Sequence, residues 1–257
     1  MNTKPRALIL SGYGLNCEEE TAFAFERAGA ETSIKHLSDL IEQPDILKRF
    51  QILAVPGGFS FGDHTGSGRA YGNKLKANLK EALQTFASRD TLTIGICNGF
   101  QILVEFGILP GALLHNTTPR YQTRWVDLEV SGNSPWLSGM NSFSVPIAHG
   151  EGNYHADKKT LDELAQGKAI AVSYVEGEMT KHFSLPANPN GSTRDIAGVT
   201  SHGGRVIGMM PHPERAIVFT QLPHWSYLAE TYRRRGEPLP KAGPGLKLFQ
   251  NAAKYFS

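Results

Sequence analysis

Thr91-Leu92-Thr93-Ile94-Gly95-Ile96-Cys97-Asn98-Gly99-Phe100-Gln101-Ile102-Leu103 is the stretch on which the fold turns. Leu92, Ile94 and Ile96 read as a buried strand and residues 101–106 as the start of a helix, so Cys97 falls on the turn between them. A residue on such a turn holds a strained backbone conformation, and side chains two positions to either side would collide across it; Gly95 and Gly99 occupy those positions. The layout lifts a sulfur out of the sheet at a helix N-terminus, whose partial positive charge and free N–H groups favour a thiolate and can receive an oxyanion. A lone cysteine is also a common small core residue, and the elbow alone leaves that reading open.

Upstream, residues 6–10 read as an apolar strand followed by a glycine-bearing turn, 11–17. Residues 18–28 read as a helix with Ala22, Phe23, Phe25 and Ala28 on its apolar face, acidic residues in its first turn and Gly29 placed to end it. Strands are expected at 32–35 and 51–55, the latter entering Pro56-Gly57-Gly58-Phe59, and a helix at 74–87. Strands alternating with helices imply parallel βαβ units in a doubly wound sheet, with ligands bound beyond the carboxyl ends of the strands. The turns after Leu10, Val55 and Ile96 are therefore expected to share one crevice. From Tyr121 the texture changes to shorter β-like segments at 123–130, 142–147, 169–175, 196–200 and 206–209, expected as antiparallel additions to the same sheet. Residues 236–245 read as a surface loop and 246–255 as a last helix. The expectation is an α/β chain folded as one domain, 1–257.

With 40% hydrophobic and 19% charged residues, the chain can bury a full core. Lys plus Arg is 26 against 24 for Asp plus Glu, a net charge of +2 that offers no electrostatic case for nucleic acid or a membrane surface. The cluster Arg233-Arg234-Arg235 reads as a solvated helix end. Two cysteines are too few for a disulfide scaffold, and Met1-Asn2-Thr3-Lys4-Pro5 runs into a strand with no signal-peptide pattern, so a reduced, cytoplasmic protein is expected. The Asn-x-Thr/Ser triplets at Asn116 and Asn190 are then chance matches to a glycosylation acceptor.

A nucleophilic cysteine needs a base within hydrogen-bond reach and a group to orient that base. Met210-Pro211-His212-Pro213-Glu214-Arg215 follows the strand at 206–209, and its prolines keep the segment extended, so Glu214 can turn back to hold the His212 imidazole. That completes a Cys97–His212–Glu214 relay, although His212 alone could equally be structural. For the oxyanion, the elbow supplies the N–H of Asn98, and the loop after the strand at 51–55 supplies that of Gly58. On its own Gly57-Gly58 could simply make a tight turn. Gly12-x-Gly14 falls short of a dinucleotide fingerprint because position 17 is cysteine, and no phosphate-binding Gly-x4-Gly-Lys motif occurs.

These residues resemble the class I glutamine amidotransferases, and within them the glutaminase subunits of phosphoribosylformylglycinamidine synthases from purine biosynthesis. The resemblance rests on Gly14-Leu15-Asn16-Cys17-Glu18, Gly57-Gly58-Phe59-Ser60-Phe61-Gly62-Asp63, Cys97-Asn98-Gly99-Phe100-Gln101, Ile147-Ala148-His149-Gly150-Glu151-Gly152, Asn188-Pro189-Asn190-Gly191-Ser192 and Met210-Pro211-His212-Pro213-Glu214-Arg215. It implies a flavodoxin-like doubly wound, mostly parallel sheet. It also implies hydrolysis of glutamine to glutamate and ammonia, with Cys97 as nucleophile, His212 as proton shuttle, Glu214 as its orienting group and Gln101 helping to hold glutamine. No metal or cofactor is implied in this chain; ATP and magnesium are expected on a separate synthetase polypeptide, which receives the ammonia. Coupling to that partner would act by adjusting the Gly57-Gly58 peptide or by completing the glutamine pocket. His149-Gly150-Glu151-Gly152 is expected as a loop at the site's mouth, either touching the synthetase or purely structural. Residues 63–73 depart in part from the family pattern, and 220–257 carry none of its motifs. Two alternatives stay open: an amidotransferase serving another synthetase, and a redox-sensing or chaperone-like protein with an elbow cysteine, for which His212-x-Glu214 would be superfluous.

Overall fold

The computed structural model describes residues 4–64 and 66–256. Residues 1–3, read above as leading into the first strand, and residue 65, inside the 63–73 segment, lie outside the described residues. The first half of the chain forms β1 (Arg6–Ser11), α1 (Glu18–Arg27), β2 (Glu31–His36), α2 (Leu37–Glu42), β3 (Ile52–Val55), α3 (Arg69–Ser88), β4 (Leu92–Ile96) and α4 (Asn98–Phe106). There follow β5 (Ala112–Leu114), β6 (Gln122–Val130), β7 (Ser142–His149), β8 (Asn153–His155), α5 (Lys158–Gln166) and β9 (Ile170–Val175). The chain then continues through α6 (Glu178–His182), β10 (Ile196–Ser201), β11 (Val206–Met209), α7 (Trp225–Arg235) and α8 (Leu246–Tyr255).

Nine strands form one sheet in the order β2-β1-β3-β4-β11-β10-β9-β6-β7, and β5 pairs with β8 in a separate ribbon. From β2 to β11 neighbours run parallel; from β11 to β7 they run antiparallel. The parallel strands β3, β4 and β11 are buried at every position, which requires cover on both faces of the sheet. α3 packs against α4, which lies along β3, β4 and β11, while α1 packs against α8. At the second contact the Phe25 ring meets Phe249 edge-on, centroids 4.9 Å apart, and burying a ring of that size contributes about 2–3 kcal/mol.

Four expectations need correction. Residues 206–209 were expected as an antiparallel addition, but β11 pairs parallel to β4 and antiparallel only to β10, so it closes the parallel half of the sheet and opens the antiparallel one. Periodicity cannot report which neighbour a short, fully apolar strand will choose. On α1 the buried residues are Thr21, Ala22, Ala24 and Phe25, and Phe23 is exposed. α3 begins at Arg69, ahead of the expected 74, and carries Gly72 where it touches α4 closely. Helix α5, amphipathic and capped by Asp157, was overlooked, and α2, α6 and the β5–β8 ribbon are too short for apolar periodicity to mark them.

The parallel position of β11 has a direct consequence. Met209 lies opposite Ile96, and the Cys97 N–H donates to Met209 O at 2.8 Å, so the chain leaves β4 and β11 at the same edge. Cys97 and His212 are thereby delivered to one place from 115 positions apart (212 less 97).

Candidate active site

Cys97 is an elbow residue: its φ of 51° and ψ of −107° fall outside the regions open to ordinary side chains, a conformation costing roughly 1–3 kcal/mol that the surrounding packing must hold. A Cβ on Gly99 would stand 1.8 Å from Val55 O, and one on Gly95 would stand 2.6 Å from Gly99 O, so strand, elbow and helix close on one another only with glycine at both positions. The thiol donates weakly to Ala148 O at 3.5 Å.

The elbow's first helical residues tie it to two loops. Asn98 Oδ1 accepts the Ser60 N–H at 3.0 Å, Asn98 Nδ2 donates to Gln101 Oε1 at 2.8 Å, and Gln101 Nε2 donates to Glu151 O at 2.6 Å. Gln101 keeps one N–H and one lone pair of its amide for a ligand. Beside it opens a cavity of about 290 Å³ bounded by Phe59, Asp63, Arg120, Tyr121, Gly150 and Glu151. Burial and then the Cys97 sulfur raise the Tyr121 phenol above its ordinary range, and burial and the nearby Glu151 raise the Asp63 carboxyl.

The Gly57-Gly58 loop is zipped to the turn before α1. Gly57 O accepts the N–H groups of Asn16 at 3.1 Å and Cys17 at 3.2 Å, and Phe59 N–H donates to Gly14 O at 2.9 Å. Because the carbonyl and N–H of a trans peptide point opposite ways, the Gly58 N–H is turned away from residues 16–17. Neither the Gly58 nor the Asn98 N–H meets an acceptor among the described residues. Only glycine fits at position 58, where φ is +153° and a Cβ would lie 2.6 Å from Gly14 O.

His212 is 2% exposed and Glu214 1%. The backbone N–H of His212 donates to Pro146 O at 2.8 Å, and Pro213 opens a single 3₁₀ turn that brings Glu214 back under the ring. Imidazole Nδ1 and Glu214 Oε1 are 2.5 Å apart. With Nδ1–H donating to the carboxylate, Nε2 offers a lone pair in the neutral ring and an N–H in the imidazolium, and it has no hydrogen-bond partner among the described residues. Burial works to push the imidazole down, but Glu214, and after it the sulfurs of Cys97 and Cys17, hold it well above the ordinary histidine range.

The second cysteine was not anticipated here. Cys17 Sγ joins the donor atoms of His212 and Glu214 within 4.8 Å of one another. Such a set has the chemistry for a soft divalent ion, but two ligands of one tetrahedral ion stand roughly 3 Å or more apart, so a metal would first have to part the 2.5 Å His212–Glu214 hydrogen bond.

His149 is enclosed in a hydrogen-bonded loop knot. Its Nδ1 lies 3.2 Å from Asn116 Oδ1 and its Nε2 3.5 Å from Asn190 Nδ2, and burial drives it down to about 3. Asn116 and Asn190 are 4% and 0% exposed and bonded on both amide ends, so their triplets are folded into the core of this loop knot. The sequence held a signal for Asn190 and Cys17 in the motifs containing them, but no role. Among the described residues no helix is long and apolar enough to cross a membrane.

A family model described as a CobB/CobQ-like glutamine amidotransferase domain matches residues 4–256. The chain is 42% identical to the phosphoribosylformylglycinamidine synthase subunit PurQ of Methanococcus maripaludis, covering 98% of each chain, and 38% identical to the subunit of that name from Dehalococcoides mccartyi, again covering 98% of each. A chain in the solved structure of PurLQS from Thermotoga maritima superposes with a TM-score of 0.74 at 31% identity, over 99% of this chain and 100% of that one.

Proposed function

As the chain belongs to the family of CobB/CobQ-like glutamine amidotransferase domains, we propose that it is the glutaminase subunit of phosphoribosylformylglycinamidine synthase, working as one domain over 1–257. The observation that carries the mechanism is the convergence of an elbow thiol with a buried His212–Glu214 pair whose Nε2 is unpartnered. The Cys97 sulfur adds to the side-chain amide carbon of glutamine while His212 takes the thiol proton. The carbonyl oxygen becomes an oxyanion and accepts the Gly58 and Asn98 N–H groups. As that adduct collapses, the C–N bond breaks, His212 Nε2–H protonates the departing nitrogen, and ammonia leaves a glutamyl thioester. His212 then takes a proton from water, whose hydroxide attacks the thioester and releases glutamate and the thiol. Glu214 keeps the ring in the required tautomer and stabilises the imidazolium that forms twice per turnover. Gln101 and the 150–151 loop hold the substrate's far end.

Ammonia passes to a separate synthetase subunit, which uses ATP and magnesium to aminate the formylglycinamide ribonucleotide; this chain needs neither. We place the reaction in the cytoplasm, a reading supported by two free, buried cysteines. The test reconstitutes the chain with the synthetase and follows glutamate release and amidine formation. Cys97→Ala is expected to abolish both with glutamine, a loss of about 10³-fold or more, while ammonia still supports amidine formation. Undiminished glutamine hydrolysis by that variant, or a partner that aminates a different substrate, would overturn the reading.

A further inference from the structure

Cys17 takes no part in the chemistry above, yet it is 1% exposed and stands against the relay. It marks the junction of three segments that the site depends on. Its backbone N–H holds Gly57 O. A Cβ at Gly57 would meet His212 Cε1 at 2.8 Å and Cys17 Sγ at 3.1 Å, so ring and sulfur crowd the same glycine. The sulfur accepts a hydrogen bond from Arg215 Nη2 at 3.0 Å, and Arg215 Nε donates to Glu20 Oε1 at 2.9 Å while standing 4.0 Å from Glu214 Oε1. Capping explains none of this, since Cys17 precedes α1 but its side chain makes no cap hydrogen bond.

We propose that Cys17 is a positioning residue: its sulfur is part of the wall against which the His212 ring is held, and it anchors the Arg215 guanidinium beside Glu214, so that the carboxylate's charge is divided between ring and guanidinium. Burial pushes the Cys17 thiol up, so it receives the Arg215 hydrogen bond without placing a second anion beside Glu214. Sulfur is large enough to fill the space behind the ring and polarizable enough to sit beside a cation. The charged and titratable groups that face His212 are Glu214 and Arg215 from its own segment, Cys17 from the turn before α1, Cys97 from the elbow, and Tyr121 and His149 from the ends of β6 and β7.

The two partners should therefore act on His212 in opposite directions. Replacing Arg215 by Gln removes a cation beside Glu214 and raises the imidazole's value, whereas replacing Cys17 by Ala removes a neighbour that favours the protonated ring and lowers it. The inference rests on His212 being the proton-transferring residue, and Cys97→Ala and His212→Ala controls test that reading separately. In the reconstituted synthetase complex, kcat/KM for glutamine is measured against pH for Cys17→Ala, Cys17→Ser and Arg215→Gln. Cys17→Ala should lower kcat/KM about tenfold, mostly in kcat, and move the limb set by His212 to lower pH. Arg215→Gln should move that limb to higher pH, Cys17→Ser should restore most of the loss, and ammonia-driven synthesis should be unaffected throughout. Unmoved limbs in both variants, or displacement in the same direction, would reduce Cys17 to a packing residue and overturn the proposal. Should Cys17→Ala fail to fold, Cys17→Val, which fills the space but removes the sulfur that accepts from Arg215, carries the same decision against Arg215→Gln.

Discussion

The ends of β7 and β11 each deliver a buried histidine to the same crevice, and the two are driven in opposite directions. His149, in the antiparallel half, is held by the neutral amides of Asn116 and Asn190, and burial takes it down to about 3. His212, in the parallel half, is buried at least as deeply, but the carboxylate 2.5 Å from its Nδ1 holds it well above the ordinary range. Burial by itself makes a histidine an uncharged structural group; a buried counter-charge makes it a base that can hold a proton in mid-reaction. The strands repeat the contrast. Parallel β3, β4 and β11 are buried throughout and leave their chemistry to the loops at their ends, whereas β7 alternates between buried positions and exposed or half-exposed ones and serves as wall.

The sharpest way to break the contrast is Glu214→Gln, which makes the surroundings of His212 resemble those of His149. It should cut glutaminase kcat by at least about 100-fold, about 3 kcal/mol in the barrier, and move the His212 limb to lower pH; a limb that stays put would show that the carboxylate is not what holds the imidazole up. Asn190→Ala attacks the other side. It removes hydrogen bonds to Gly152 O, Ser192 Oγ and the Tyr174 hydroxyl, so urea unfolding should report a loss of about 2–3 kcal/mol with turnover nearly unchanged. Comparable in size is a pH effect on stability. Below about pH 6.5 the unfolded chain protonates His149 and the folded chain does not until about pH 3, so the native protein loses stability as pH falls through that window. His149→Asn lacks that loss, and its stability gap from the native protein should narrow between pH 7 and pH 4.5; a constant gap would mean that His149 is not buried neutral. His212 has the opposite sign, contributing fully below about pH 6.5 and losing its contribution as pH rises through its elevated value.

Much of the local geometry of the site was legible in the residues because each part has a local cause. Gly95 and Gly99 flanking Cys97 announce an elbow, and the turns after Leu10, Val55 and Ile96 do meet in one crevice, but the prolines around His212, expected to keep that segment extended, instead open a 3₁₀ turn at Pro213 that folds Glu214 back to the ring. The groups that escaped notice, Cys17, Arg215, Asn116 and Asn190, are ones whose partners are remote in sequence and whose residue types usually mean something else. A buried Asn in an Asn-x-Ser triplet looks like a surface acceptor until the fold encloses it. Phe23 failed in the other direction, apolar yet exposed, because the helical face that meets the sheet is set by packing against α8 and β1 as well as by periodicity.

By itself the chain specified the alternation of strands and helices, the elbow, the residue types of the relay and the edge of the sheet where they would lie, since these follow from backbone sterics and short-range apolar patterning. Tertiary structure alone decided that β11 would pair parallel to β4, that the Gly57 carbonyl would be held by residues 16 and 17, and that one imidazole would be raised and its neighbour lowered. Those outcomes depend on long-range pairing and on which charges share a dry volume, quantities that exist only once distant segments have been brought into contact.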